Sequence, residues 1–269
     1  MKSSFKMLLL LTAISQQFLA NYEKRLIYFY WYDIIIKNRI GGIMRYGKVV
    51  SGRFLSRPNR FIAHVEIDGK EEVCHVKNTG RCRELLMDGA TVYLEVSDNP
   101  SRKTKYDLIA VEKGSLLINM DSQAPNKVVG EWIISSGYFG SPDLIRPEFT
   151  MGDSRFDFYL ESDGRKILIE VKGVTLEDDG VVSFPDAPTL RGIKHLNHLS
   201  AKVGEGYEAY VIFVVQMREA KYFTPNESRH PDFAAALRNA KNHGVIPLAI
   251  TSIVTENSIV LDEFLEIRL

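Results

Sequence analysis

The feature that most constrains this chain is the stretch at residues 155–172, which reads RFDFYLESDGRKILIEVK. Its Asp163-Gly164 pair predicts a two-residue hairpin turn, because glycine adopts positive φ easily and Asp-Gly is a preferred pair in such turns. With those two residues as the turn, the register places Asp157 directly opposite Glu170. One face of the hairpin is then predicted to be a core face, made by Phe156, Phe158, Leu160, Ile167, Ile169 and Val171.

The other face of the predicted hairpin carries Asp157, Glu170 and Lys172. Two carboxylates directly opposite one another on a sheet repel, and a bound divalent cation such as Mg²⁺ or Mn²⁺ would remove that penalty. Such a metal activates a water and neutralises charge on a phosphate, while a lysine about 7 Å along the strand can stabilise developing negative charge. These three residues are therefore predicted to catalyse metal-assisted phosphodiester hydrolysis. The alternative is that Lys172 simply pairs with a carboxylate on a solvated sheet face.

The amino-acid composition limits the possible fold classes and binding partners of the protein. The 269 residues are 45% hydrophobic and 25% charged, which is typical of a globular protein long enough for two modest domains. Net charge is zero, but residues 44–120 hold three more basic than acidic side chains and residues 121–269 hold seven more acidic than basic ones. The first segment is the better candidate for a polyanion-binding surface. Cys74 and Cys82 form no CxxC motif and are predicted to be reduced thiols of a cytoplasmic protein.

Residues 1–43 read differently from the rest. Lys2 and Lys6 precede an apolar run at residues 7–14, which resembles a signal peptide, but no run reaches the roughly 20 residues of a membrane span. Gly41-Gly42-Ile43-Met44 is compatible with codons that include a bacterial ribosome-binding site before an ATG. We therefore expect residues 1–43 to be a non-native extension and Met44 to be the start, with a secretory leader or a membrane-surface helix as alternatives.

Residues 44–120 are predicted to form an oligonucleotide-binding (OB) barrel. Strands are expected at residues 47–55, 61–67, 71–76, 91–96 and 106–112, with a sixth at 115–119 and a short helix at 82–87. Basic residues among these segments predict contacts to nucleic-acid phosphates, namely Arg53, Arg57, Arg60, Lys77 and Arg81, together with Arg83. Phe54, Phe61 and Tyr106 lie near them in sequence; the alternative is that Phe54 and Phe61 are core residues and the arginines coat an ordinary surface.

Residues 121–269 are predicted to form an α/β domain with a mixed central sheet. After a link at 121–126, helices are expected at residues 127–136, 189–203 and 232–242. Extended segments are expected at 144–150, 208–216, 245–254 and 259–264, in addition to the hairpin. Residues 177–180 read as a solvated acidic turn and residues 183–188 as a loop. Arg191 and His195 form an i, i+4 pair on one helix face.

Two resemblances follow from these segments. Asp157 with Glu170-Val171-Lys172 resembles the PD-(D/E)xK nuclease signature, although Phe156 stands where that signature usually has proline. From Met44 onward the chain is similar to the sugar fermentation stimulation protein A family, through HVKNTGRCREL, DSQAPN, SRFDFYL, EVKGVTL and FPDAPTLRGIKHLNHL.

The second resemblance implies an N-terminal OB barrel and a C-terminal restriction-endonuclease-like domain. It also implies a bacterial or archaeal cytoplasmic protein that binds DNA, with single-stranded DNA or RNA as variants, and that is associated with the regulation of sugar (maltose) metabolism. Matched onto this sequence, Asp157, Glu170 and Lys172 take the nuclease positions, Glu148 joins the first two as a metal ligand, and Glu131 is a further acidic helper. Arg191 and His195 reach the phosphate; the alternative is a surface helix pair.

Three functions stay open from the sequence. The first is a DNA-binding protein with a Mg²⁺-dependent nuclease site, and the second is a DNA-binding regulator whose acid pair is catalytically silent. The third is a small-molecule or RNA-processing enzyme on the same scaffold. No membrane partner is expected, and a monomer and a homodimer are both compatible with the sequence.

Overall fold

The computed structural model describes residues 43–78 and 80–269. The expectations for residues 1–42 lie outside the described residues. Within the described part no helix is both long enough and apolar enough to cross a membrane.

The first half of the described chain is a closed barrel, as predicted. Its strands are β2 (Val49–Ser56), β3 (Ile62–Ile67), β4 (Lys70–Val76), β5 (Thr91–Val96) and β6 (Tyr106–Lys113), with β7 (Leu116–Asn119) beside β6. The order is β4-β3-β2-β5-β6, and a parallel β4–β6 pairing closes the ring. Val65, Leu94 and Leu108 fill its interior and are fully buried. Ring closure leaves no free edge among these five strands.

The predicted helix at residues 82–87 is wrong, because these residues form turns. Cys82 has a positive φ of 44°, which lies outside the right-handed helical region. The Leu85 and Leu86 amides both donate to the Cys82 carbonyl, so a tight turn replaces the helix. A six-residue helix would also repay little of its nucleation cost.

The second half is built on a seven-stranded mixed sheet in the order β1-β16-β15-β13-β10-β9-β8. Its strands are β1 (Met44–Arg45), β8 (Leu144–Met151), β9 (Ser154–Ser162), β10 (Arg165–Val174), β13 (Glu208–Val215), β15 (Ile246–Thr255) and β16 (Ser258–Phe264). β10, β13 and β15 run parallel, and the flanking pairs are antiparallel. β1 precedes the barrel in sequence but belongs to this sheet, through Met44 opposite Ile259.

Helices cover both faces of this sheet. α1 (Ala124–Ser135) shares one core cluster with Ile167 and Ile169, while α2 (Leu190–Val203) and α3 (Pro231–Asn242) share the other with Phe213. Coverage of both faces explains why β13 is apolar along nearly its whole length. The predicted fold class, an OB barrel followed by a restriction-endonuclease-like α/β domain with a mixed sheet, is confirmed.

The β9–β10 hairpin has the predicted register up to the pair Ile169 and Phe158, but no farther. Asp157 and Glu170 are the next residues, and the ladder stops before them. The prediction that they form a regular cross-strand pair is therefore wrong. The division into faces is also corrected: Tyr159 and Leu168 are buried as well, and Phe156 lies in the α2–α3 core cluster rather than with the other five residues. Because helices cover both faces of the central sheet, both faces of the hairpin carry buried apolar residues.

A small three-stranded sheet was not predicted. It consists of β11 (Leu176–Asp178), β12 (Val181–Phe184) and β14 (Tyr222–Pro225), in the order β11-β12-β14. Strands of three or four residues are too short for a hydrophobic period to be recognised. Residues 179 and 180 form the predicted turn, and Asp178 and Asp179 are exposed as expected. Glu177 is not solvated, since it is 8% exposed and accepts a 2.6 Å bond from Lys113 Nζ.

Candidate active site

The site forms where β9 and β10 separate, and Glu170 is its centre. Glu170 is only 2% exposed. Its Oε1 accepts a 2.5 Å hydrogen bond from Lys172 Nζ and contacts Nδ1 of His195 on α2. Its Oε2 is buried and has no hydrogen-bond partner among the described residues. One oxygen of this carboxylate is thus doubly paired, and the other is left with unused acceptor capacity.

Asp157 occupies the gap that the ended ladder leaves. Its Oδ2 accepts the Val171 backbone N–H at 2.7 Å, and its Oδ1 accepts Asn126 Nδ2 at 2.8 Å. The carboxylate therefore replaces the strand partner that the Val171 amide lacks, which satisfies a backbone donor that would otherwise be unpaired. Asn126 was not predicted as a site residue, although it ends the DSQAPN segment that carries the family resemblance.

The two carboxylates have opposite pKa shifts. Burial raises the pKa of Asp157, and the neighbouring Glu170 raises it further. Burial would also raise the pKa of Glu170, but His195 and Lys172 outweigh it and hold that pKa below its usual value. Of the pair, Asp157 is the carboxylate that takes up a proton first.

His195 joins α2 to this centre. Arg191 Nε donates to its Nε2 at 3.3 Å, which leaves Nδ1 as the nitrogen that donates to Glu170. α2 begins sharply, because Thr189 Oγ1 accepts the Gly192 amide at 2.9 Å as an N-cap. Arg191 itself is exposed. The structure thus brings His195 to the predicted carboxylates and leaves Arg191 at the surface beside them.

The orphan oxygen of Glu170 provides a test of whether a divalent metal fits here. A buried carboxylate oxygen without a donor costs free energy that a cation or its bound water would remove. The adjacent Asp157 adds a second carboxylate, and Mg²⁺ needs only one or two from the protein. Asp157 and Glu170 therefore fit a metal of this class, although no group of three His, Cys, Asp or Glu side chains arranged to hold an ion occurs among the described residues.

The two further acids predicted from the resemblance differ in their position relative to the site. Glu148, the proposed third metal ligand, is 67% exposed and pairs with Arg155 at 2.6 Å. Its φ of 54° falls where the β8–β9 pairing skips one position, between Pro147 opposite Phe158 and Phe149 opposite Phe156, so the register places Glu148 across from Asp157. Glu131 bonds to the backbone of Met44 on β1, and three strands separate β1 from β10. Glu131 therefore lies away from the Glu170 centre, whereas Glu148 lies across from Asp157 with its carboxylate paired to Arg155.

The predicted nucleic-acid residues of the barrel separate into two groups. Lys77 is only 17% exposed and contacts Glu95, Asp107 and Asp121 at 3.2–3.6 Å, so its charge is compensated inside the protein. Its assignment to phosphate binding is corrected for that reason. Arg53 pairs with Glu66 at 2.9 Å.

The second group keeps its positive charge. Arg57 donates to the backbone carbonyls of Asn78, Arg60 and Arg81 at 2.6–2.8 Å, and these partners carry no charge. The side chains of Arg60 and Arg81 are exposed. Of the nearby aromatics, Phe54 is buried as the alternative predicted, whereas Phe61 is 51% exposed.

A buried polar network links the barrel to the second half of the chain. Asn119 donates to Tyr46 Oη at 2.8 Å, and Gln216 Nε2 donates to Asn119 Oδ1 at 2.9 Å. Asp121 is fully buried beside them and meets Lys77. Sequence reasoning missed these residues, because no local pattern shows that side chains about 75 to 97 positions apart will meet.

Comparison with known proteins agrees with this architecture. Residues 55–120 match a family model described as the SfsA N-terminal OB domain. Residues 123–258 match one described as the Sugar fermentation stimulation protein RE domain. Apart from residue 79, both ranges lie within the described part of the chain.

Individual relatives match over nearly their whole length. The Sugar fermentation stimulation protein homolog of Desulfitobacterium hafniense is 59% identical over 84% of this chain and 99% of its own. The Clostridium beijerinckii homolog is 54% identical over 84% of this chain and 100% of its own. The solved structure of Pyrococcus furiosus SfsA in complex with Ca²⁺ superposes with a TM-score of 0.77, at 25% identity over 84% of this chain and 98% of that one. The chain belongs to the sugar fermentation stimulation protein family.

Proposed function

We propose that this protein binds DNA and hydrolyses its phosphodiester bonds at Glu170, using Mg²⁺ or Mn²⁺. The observation that carries the proposal is the buried, partnerless Oε2 of Glu170 beside a second carboxylate. An oxygen so placed supports the binding of a cation or a metal-bound water. The solved relative from Pyrococcus furiosus was obtained in complex with Ca²⁺, a cation that also prefers oxygen ligands.

Each site residue has a separate role in this proposal. Lys172 and His195 both engage Oε1, which keeps Glu170 ionised and directs Oε2 into the site. Asn126 and the Val171 amide orient Asp157. The bound metal would activate a water and neutralise charge on the phosphate. The Lys172 ammonium, 15% exposed, would stabilise negative charge as it develops on the phosphate oxygens.

A cleavage assay with a matched pair of variants tests the proposal. Purified protein is incubated with single- and double-stranded DNA and RNA in Mg²⁺, in Mn²⁺ or in EDTA. Asp157→Asn should abolish metal-dependent cleavage. The control Asp163→Asn makes the same chemical change about 20 Å farther along the hairpin, so it should leave cleavage intact. It should also fold normally, because Asn suits the positive φ of 50° at that turn. Cleavage that survives Asp157→Asn would exclude hydrolysis at this site.

A second candidate function has its own supporting observation. Both oxygens of Asp157 are already paired within the protein, and the Glu148 carboxylate is paired with Arg155, so two of the three predicted metal-ligand side chains are already engaged by protein groups. This arrangement favours a catalytically silent DNA-binding regulator of sugar (maltose) metabolism genes. In that case the wild-type protein and Asp157→Asn would bind DNA equally, and neither would cut it in any metal.

The proposal places the protein in the cytoplasm. The two cysteines, Cys74 and Cys82, are free and buried, and DNA is a cytoplasmic partner in bacteria. Fractionation of native cells with an antibody to the protein would test this location, and recovery from the extracellular medium would contradict it.

A further inference from the structure

A basic groove runs between the barrel and the α/β half of the chain. Its volume is about 640 Å³. Arg57, Arg60, Arg81 and Arg83 line one side, and the segment from Phe184 to Thr189 lines the other. We call this feature the arginine groove. The arginine groove is formed by loops at the end of the barrel, not by the strand face that carries Arg53.

The charge of the arginine groove is not compensated internally. None of its four arginines forms an ion pair with a carboxylate in the part of the chain that the structure describes, whereas Arg53 and Lys77 both do. One carboxylate, Asp186, also lines the groove; burial and the neighbouring Glu84 raise its pKa. Four cations facing one such acid make an anion-binding surface.

An exposed aromatic ring stands at the edge of the arginine groove. Phe61 is 51% exposed, and the Arg60 guanidinium lies 5.9 Å from its ring centre. Exposure of a phenyl ring carries a cost that burial in the barrel would avoid. A ring beside a cation is the combination on which an unstacked base packs while its phosphate meets the charge.

The arginine groove leads toward the Glu170 centre. Thr189 lies at its rim and caps α2, and His195 follows six residues later, about 9 Å along the helix. The centre is recessed, since the side chains of Glu170, Lys172 and His195 are only 3%, 15% and 15% exposed. A stiff duplex presents its phosphates at a convex surface, whereas a single strand can bend into a recess.

We propose that the arginine groove binds single-stranded nucleic acid, with phosphates on Arg60, Arg81 and Arg83 and a base stacked on Phe61, and that it delivers the strand toward Glu170. The delivery step rests on the proposed function, whereas the binding step does not. In a duplex the bases are already stacked on one another, so Phe61 would have no free face to contact. Both the exposed ring and the recessed centre therefore favour a single strand.

Fluorescence anisotropy in EDTA tests binding separately from cleavage. The probes are a labelled 15-nucleotide dT strand, a U strand of equal length, and a DNA hairpin duplex. Phe61→Leu should weaken single-strand binding by about 5- to 150-fold, the range for loss of one stacked base. Phe61→Tyr, which keeps the ring, should bind like the wild type.

Salt dependence gives a second measurement that does not depend on absolute affinity. The double variant Arg81→Ala/Arg83→Ala removes two exposed side chains. It should lower the magnitude of the slope of log affinity against log salt by about 1.4, because each single-strand phosphate contact contributes about 0.7. The control Lys166→Ala removes an exposed charge at the far end of β10 and should leave the slope unchanged.

The outcomes separate this inference from the proposed function. Equal or tighter binding of the duplex by the wild type, or unchanged binding and salt slope in the groove variants, would overturn the groove assignment even if the protein cuts DNA. Loss of single-strand binding in those variants, without cleavage by any form of the protein, would support the groove and refute the nuclease. Binding of the dT or the U strand more tightly than the duplex supports the groove assignment, and binding of neither strand overturns it.

Discussion

Replacement of Lys172 by methionine should destabilise the fold through Glu170. Methionine keeps most of the length of the side chain and removes its ammonium group. Glu170 is 2% exposed, and Lys172 is bonded to its Oε1 at 2.5 Å. After the substitution only His195 remains on that carboxylate, and Oε2 is already without a partner.

The size of this loss of stability depends on what still compensates the charge of Glu170, namely His195 and water. Breaking a fully buried ion pair costs about 3–5 kcal/mol, but His195 still contacts Oε1, and water reaches the position of a side chain that is 15% exposed. We therefore expect a loss near that of one hydrogen bond to a charged group, about 2 kcal/mol. For a folded unit of this size that corresponds to a Tm lower by about 4–8 °C.

The destabilisation should depend on pH in one direction. The pKa of Glu170 in the folded protein lies below its ordinary value of 4.5. Its paired carboxylate therefore contributes stability that is fully present above pH 4.5 and is lost as pH falls through the lowered folded pKa. In Lys172→Met the burial of Glu170 remains and the ammonium is gone, so the protonated form is favoured. The Tm difference between the two proteins should narrow as pH falls below about 4.5.

Thermal unfolding followed by circular dichroism in EDTA, at pH 7 and at pH 4, measures both effects. Glu170→Gln and the double variant Glu170→Gln/Lys172→Met complete a mutant cycle, in which the loss caused by Lys172→Met should shrink once residue 170 is neutral. A Tm change below 2 °C at pH 7, or an equal change at both pH values, would refute the account of Glu170 as a buried anion held by Lys172.

Three other predictions follow from the same structure. Lys77→Met should cost about 3 kcal/mol in urea unfolding, since the fully buried Asp121 loses its cation while Asp107 keeps Arg102; Arg53→Met on the exposed barrel face should cost less than about 1 kcal/mol, and equal losses would contradict the burial argument. Thr189→Ala should remove the N-cap of α2 and lower Tm by about 2–4 °C, for a loss of about 1 kcal/mol, while Thr189→Ser should restore it. Ca²⁺ affinity measured by calorimetry should fall as pH drops below the raised pKa of Asp157, because a proton then competes with the metal; affinity that stays unchanged from pH 7 down to pH 3.8, the ordinary pKa of an aspartate, would exclude Asp157 as a ligand.

Local sequence was sufficient where the controlling interactions are local. The Asp163-Gly164 turn has the two positive φ values, 50° and 73°, that the dipeptide predicts. The turn then sets the register of five successive pairs down to Ile169 and Phe158. The helix expected at residues 189–203 forms as α2, with Thr189 as its N-cap. Each of these features depends on residues close together in the chain.

Contacts between residues distant in sequence determine where the β9–β10 ladder ends and which side chains meet at the site. The ladder ends before Asp157 because that side chain accepts the Val171 amide, with Asn126 holding its other oxygen. These contacts determine where the strands part, and a register count cannot show them. Helix α2 then brings His195 to Glu170 across 25 positions.

Charge alone could not distinguish the basic residues of the barrel. Lys77 and Arg81 are equally cationic in the sequence, yet Lys77 is enclosed by three carboxylates and Arg81 is exposed at the arginine groove. Sequence by itself determined the two folds, the hairpin and the acids that it carries. Tertiary structure decided which of the charges are compensated, because burial and the sign of the neighbouring groups depend on parts of the chain far apart in sequence.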